Sequence, residues 1–157
     1  MRRERLRPNA VRGIAVHYSG LNTDEQREHR NCAARVRAIQ AFHMDDRGWN
    51  DIAYNHVFCR HGYVFVGRGF GARSAANGTA PANDRYFAVC FLGEDSKDRD
   101  DVPREARVML ARLVLEYRRR YPKARQVRPH SSFTATQCPG DELRGVIRRA
   151  RWWALAR

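Results

Sequence analysis

Apolar residues fall in short runs separated by charged or Gly/Asn-rich breaks, and the spacing inside each run predicts an element. Val11–His17 reads as a short buried strand, with Ile14 and Val16 on one face and His17 at its carboxyl end. Thr23-Asp24-Glu25-Gln26 is a capping box and predicts a helix from about Asp24 to Met44. Cys32, Val36, Ile39 and His43 lie on its apolar face, with arginines opposite, and Arg47–Asp51 breaks it. Ile52–Cys59 and Tyr63–Val66 predict two strands joined as a hairpin across Arg60-His61-Gly62; regular alternation puts Tyr54 and His56 on a shared face. Gly67–Asp84 has no period and reads as a long surface loop. The continuous apolar run Tyr86–Leu92 predicts a buried central strand, and the acidic cluster Glu94–Asp101 a solvated loop.

Pro103–Arg120 is predicted helical, with Ala106, Met109, Leu110, Leu113 and Tyr117 inward, and Tyr121-Pro122 stops it. Gln126–Arg128 is a short strand running into His130. A last helix, Asp141–Arg157, turns Leu143, Val146, Ile147, Ala150 and Trp153 inward. It turns Arg144, Arg148, Arg151 and Trp152 outward, a face suited to an anionic surface. Strands alternating with helices place the chain in the α/β class.

At 157 residues the chain is expected to form one domain, residues 11–157, behind a basic leader of residues 1–10. No apolar run reaches membrane-spanning length, and no apolar segment follows the charged N-terminus, so neither a membrane helix nor a signal peptide is expected. Thirty Lys and Arg against 17 Asp and Glu give a net charge of +13. Such a field attracts nucleic acid, anionic lipid or acidic wall polymers without choosing among them, and a merely solubilising surface is the plain alternative. The four cysteines form no C-x-x-C pair, which excludes a zinc ribbon or thioredoxin-like motif. Cys32, Cys59 and Cys90 sit in apolar surroundings as small buried hydrophobes, whereas Cys138 sits in a polar loop.

That loop, Pro129–Gly140, holds an imidazole and a thiol eight positions apart, at His130 and Cys138. A catalytic zinc takes three protein ligands and keeps one open position. His17 and His56 compete for the third place; His43 reads as a packed helix residue, His29 as exposed and His61 as solvated. A zinc held by His17, His130 and Cys138 would activate water for attack on a carbonyl, with amide hydrolysis the natural reaction. The Tyr54 phenol and the Thr136 hydroxyl are the candidates to steady the tetrahedral oxygen.

The ordered blocks carry a resemblance. The strand ending in His17, then Phe42-His-Met-x-x-x-Gly48-Trp49-x-Asp51-Ile52-x-Tyr54-Asn55, Gly67-Arg68-Gly69 and His130-x7-Cys138-Pro139-Gly140 occur in sequence. Together they resemble the type 2 zinc N-acetylmuramoyl-L-alanine amidases, which share their fold with the peptidoglycan recognition proteins. The resemblance implies a mixed central sheet flanked by helices, Zn2+ on His17, His130 and Cys138, and Tyr54 and Thr136 as catalytic residues. It implies cleavage of the amide between muramic acid and L-alanine in peptidoglycan. It lowers His56 as a ligand, because a core residue is usual there. It also offers Trp49, Arg68, Phe70 and Asn77 as substrate-binding residues, with Phe70 and Arg68 set to favour the extra carboxylate of diaminopimelate.

Two departures stand out. His130-Ser131-Ser132 replaces the frequent His-Arg-Asp, so support for the metal loop must differ, and Ser74-Ala75-Ala76 replaces Gly-Ala-His. Ser74–Thr79 and Tyr86–Gly93 look more like amidases of actinobacteria and their phages than animal ones. The expectation is a monomeric phage lysin that collects in the cytoplasm and is released to the wall, with anionic wall polymers as further partners. The rival readings are a non-catalytic peptidoglycan receptor, a cytoplasmic amidase that recycles muropeptides, and, from charge alone, a nucleic-acid binder; no nucleic-acid motif supports the last.

Overall fold

The computed structural model describes residues 4–21, 28–93 and 102–157. The capping box Thr23–Gln26 and the acidic cluster 94–101 lie outside the described residues. Five strands, β1 (Gly13–Tyr18), β2 (His56–Cys59), β3 (Val64–Val66), β4 (Tyr86–Leu92) and β5 (Gln126–Pro129), form one sheet in the order β3-β2-β4-β1-β5. Only the β2–β3 hairpin is antiparallel; β1 pairs parallel with both β4 and β5, and β2 with β4. Helices cover this mixed sheet on both faces, which is why its central strands are apolar without a break.

The period-2 alternation divides the interior between the two faces. Ile14, Val16, Phe58, Phe87, Val89 and Phe91 join α3 (Arg104–Arg120) and α4 (Asp141–Arg149) in the larger core. Val57, Cys59, Cys90 and Leu92 face a smaller cluster with Cys32, Val36 and Ile39 of α1 (His29–Ala41). Residues 4–10 belong to the domain: Leu6 is buried in the larger core and its amide donates to the Gly71 carbonyl at 2.8 Å.

Three elements depart from the expected pattern. The strand expected from Ile52 begins only at His56, because side chains hold residues 51–55 in an irregular path. The Arg68 guanidinium binds the carbonyls of Asp51 and Ile52, while Asn55 donates to Gly69 and Ala72 and accepts from the Ala88 amide. Tyr54 and His56 consequently point to opposite sides of the sheet, towards His17 and Tyr117 respectively. Gly67–Asp84 is not a surface loop: Ala72, Ser74 and Asn77 are buried, and α2 (Ala80–Arg85) starts inside it, capped by Thr79.

The last helix is two helices, α4 and α5 (Trp152–Leu155), because Ala150 and Arg151 leave helical geometry. The break reverses the tryptophans. Trp152 is 8% exposed in the core and Trp153 is 60% exposed. Among the described residues no helix is long and apolar enough to cross a membrane.

Candidate metal centre

β1 and β5 lie side by side and run parallel, Val16 opposite Pro129, so their carboxyl ends deliver His17 and His130 to one place. The two imidazoles are 4.3 Å apart between centroids. From His130 the chain takes a single 3-10 turn and folds back, with the Ser131 amide bound to the Cys138 carbonyl at 3.1 Å. Cys138 Sγ then lies 3.9 Å from His17 Nδ1 and accepts from the Tyr18 amide at 3.3 Å. One ligand atom from each of His17, His130 and Cys138 lies within 4.8 Å of the others. The loop is also held from α4, where Arg144 forks onto the carbonyls of Thr136 and Gln137. Backbone and arginine thus supply the support that the Ser131-Ser132 departure called for.

The buried Asn77 decides which nitrogen of His17 is free. Its amide group donates to Ser74 Oγ and to the carbonyls of Ala82 and Tyr86, so its Oδ1 must be the acceptor facing His17 Nε2 at 2.9 Å. His17 therefore carries its proton on Nε2 and presents the Nδ1 lone pair towards Cys138, the arrangement by which an outer partner orients a metal-binding histidine. Burial, then the neighbouring His130, lower the His17 pKa to about 3, against the smaller opposing pull of Asn77. Burial likewise lowers that of His130 and pushes Cys138 up to about 11. Neutral imidazoles are what a metal requires, whereas the thiol would ionise only against a cation. His130 Nε2 is buried with no hydrogen-bond partner among the described residues. Borderline-soft donors, a fixed tautomer and an orphaned ring nitrogen fit a zinc ion.

These side chains line a cavity of about 520 Å³ together with Tyr54, Thr136, His43 and Trp49. Tyr54 lies 5.5 Å from His17 between ring centroids. Burial, then the thiols of Cys90 and Cys138, hold its phenol well above its usual pKa, so it is a proton donor at neutral pH. Thr136 Oγ1 accepts from the Cys138 amide at 3.2 Å. The π-helical turn Phe42–Asp46 that follows α1 re-aims His43, which accepts from the Ala53 amide at 3.2 Å and stacks on Trp49.

Of the expected substrate-binding residues, only Trp49 reaches the cavity. Arg68 is spent on the carbonyls of Asp51, Ile52 and Arg73, so it does not offer the fork that a diaminopimelate carboxylate would need. Phe70 packs between His56 and Tyr117 with Arg120 over its ring. Asn77 orients His17 instead. His56 is excluded as a third ligand here by its 2.6 Å hydrogen bond to Tyr117 on the far side of the sheet. Sequence reasoning missed His43 in the cavity, since helical spacing put it on a packed face. Nor did spacing unite His29, Cys32, Cys59 and His61, whose ligand atoms lie within 4.8 Å of one another.

Comparison with known proteins agrees with this architecture. Drosophila peptidoglycan recognition protein LB superposes with a TM-score of 0.84 over 96% of this chain and 86% of its own, at 21% identity. The ectodomain complex of recognition proteins LCa and LCx bound to tracheal cytotoxin gives 0.80 over 96% and 88%, at 26% identity. The fold is that of the peptidoglycan recognition proteins. The profile of the N-acetylmuramoyl-L-alanine amidase family, Amidase_2, matches residues 7–141, and the chain belongs to that family. The N-acetylmuramoyl-L-alanine amidase of Sus scrofa is 34% identical over 74% of this chain and 19% of its own length. That of Homo sapiens is 31% identical over 86% and 23%. The chain thus spans about a fifth to a quarter of these relatives.

Proposed function

We propose that this chain is a zinc-dependent amidase that hydrolyses the bond between N-acetylmuramic acid and the L-alanine of the peptidoglycan stem. The observation that carries the reading is the convergence of His17, His130 and Cys138 at a cavity also lined by Tyr54 and Thr136. His17, His130 and Cys138 would hold the ion. When bound there, zinc supplies a Lewis acid and an activated water.

The residues of the chain supply the rest. Asn77 keeps the His17 proton on Nε2 and so keeps the donor set in one geometry. Tyr54, neutral and half-buried, donates to the oxygen on which charge gathers as the amide carbonyl becomes tetrahedral, an interaction strengthened by exclusion of water. The Thr136 hydroxyl accepts from the Cys138 amide and keeps its own proton available to the same oxygen. Trp49 and His43 form an aromatic wall that fits the apolar faces of a glycan–peptide junction.

The net charge of +13 supports a lytic role in which the chain accumulates in the cytoplasm, is released to the wall and is drawn to anionic wall polymers. Mass spectrometry of digested walls tests the reading. New free L-alanine amines, lost on chelation and restored by zinc, are the expected result. Wall binding without new amines would make the chain a receptor, and cleavage of soluble fragments but not sacculi would make it a recycling enzyme.

A further inference from the structure

A second cluster of metal-ligand side chains lies on the α1 side of the sheet, apart from the cavity. His29 and Cys32 occupy the first turn of α1, three positions apart and therefore on one helix face. Cys59 ends β2, and His61 sits in the tight turn that leads to β3, where the Gly62 amide bonds the Cys59 carbonyl and the Cys59 amide bonds the Tyr63 carbonyl, both at 3.0 Å. The turn bends the chain back so that Cys59 and His61 aim at the same point as the helix pair.

The distances are those of a coordination shell. Cys32 Sγ is 3.6 Å from His61 Nδ1, and Cys59 Sγ is 3.8 Å from His61 Nδ1 and 3.9 Å from His29 Nδ1. A tetrahedral zinc with ordinary bond lengths separates a sulfur from a nitrogen ligand by about 3.6 Å, so these three sulfur–nitrogen pairs lie within about 0.3 Å of that spacing, and all four ligand atoms lie within 4.8 Å of one another. Both cysteines are buried free thiols, and the His29 ring is held in place by stacking on Tyr63 at 3.9 Å.

We propose that His29, Cys32, Cys59 and His61 bind a structural Zn2+ that pins the start of α1 to the β2–β3 turn. Four protein ligands close the shell and leave no open position, which separates this site chemically from a catalytic one. The fold has a use for it. Cys32 is the only buried residue among the thirteen of α1, and the residue capping the helix start makes no side-chain cap hydrogen bond. A bound ion would supply the anchorage that apolar burial does not, and α1 leads directly into the π-helical turn carrying His43.

The site is independent of the amidase reading, and its test is built to stay so. The full chain, purified reduced with zinc and dialysed against metal-free buffer, is expected to hold two zinc ions, and the Cys138→Ser variant one. Adding Cys59→Ser to that variant should remove the last. Loss of folding in the double variant is handled by cobalt(II) titration of the metal-stripped Cys138→Ser chain. Tetrahedral d–d bands with thiolate-to-cobalt charge transfer are expected, together with thiols of Cys32 and Cys59 that react with a disulfide reagent only after chelation. Chelation should also lower the Tm of the Cys138→Ser chain by at least about 5 °C. One zinc in the wild type that survives Cys138→Ser would remove the catalytic metal and leave this site standing. A Cys138→Ser chain that takes up neither zinc nor cobalt, or a Cys32–Cys59 disulfide in the purified protein, would overturn the proposal.

Discussion

Because Asn77 accepts from His17 Nε2 while its own amide is locked by Ser74, Ala82 and Tyr86, Asn77→Ala would let the imidazole change tautomer and tilt. Zinc affinity at the His17 site should fall by about 10- to 100-fold, the usual cost of losing an outer partner, as measured by competition with a chromogenic chelator. A substrate-binding role would instead raise KM at full zinc occupancy. Tyr54→Phe should keep its zinc and lose about 10²-fold in turnover, and a near wild-type rate would make the tyrosine structural.

His56, outside the cavity, carries a pH prediction. Burial first, then the nearby Arg120, lower its pKa to about 4. Its contribution is fully present above the ordinary histidine pKa of about 6.5 and is lost as pH falls towards about 4, because the unfolded chain binds a proton that the folded one refuses. The loss amounts to about 3 kcal/mol across that window. His17 acts in the same direction. His56→Gln keeps a partner for Tyr117 without a titrating ring, so urea unfolding at about pH 7 and about pH 4.5 should show a smaller loss than the wild type. An unchanged loss would assign acid sensitivity elsewhere.

The break between α4 and α5 makes the two adjacent tryptophans unequal. Trp152→Ala removes a buried indole and should cost about 3 kcal/mol or more in urea unfolding, whereas Trp153→Ala should change stability little. Equal effects would restore the single continuous helix read from periodicity. That reading failed because neither Gly nor Pro marks Ala150-Arg151, while beyond the bend α5 packs against α3, a contact no local pattern reveals. By contrast, β4 was legible from end to end, since a strand buried on both faces has a continuous apolar run. Ile52–Tyr54 was not, because the Arg68 and Asn55 bonds that hold it come from side chains whose targets no local pattern reveals. Within the candidate centre, the eight-residue interval between His130 and Cys138 was visible. The second cluster was hidden because its pairs, His29/Cys32 and Cys59/His61, matched no C-x-x-C spacing and met only through the fold.

Taken together, the arginines give the molecule a positive field, but not every one is free to serve it. Arg144 holds the loop of Cys138, and Arg107 pairs with Glu142, whose carboxylate also accepts from the Val102 amide. Arg148 and Arg151 are exposed. Changing both to Gln should weaken sedimentation with intact walls at low salt and flatten its salt dependence, while cleavage of a small soluble muropeptide stays the same. Binding that ignores both salt and the substitutions would reduce the charge to a solubilising role.

The strand order has a consequence for synthesis on the ribosome. β1 is made first, yet its two neighbours in the sheet are β4 and β5, whose residues emerge more than seventy positions later. Its flanks therefore remain unpaired until most of the chain exists, and the loop ending at Cys138 closes against it later still. A nascent chain interrupted anywhere before that loop carries His17 but nothing to complete its site. Whatever chemistry the completed site supports cannot begin on an unfinished polypeptide.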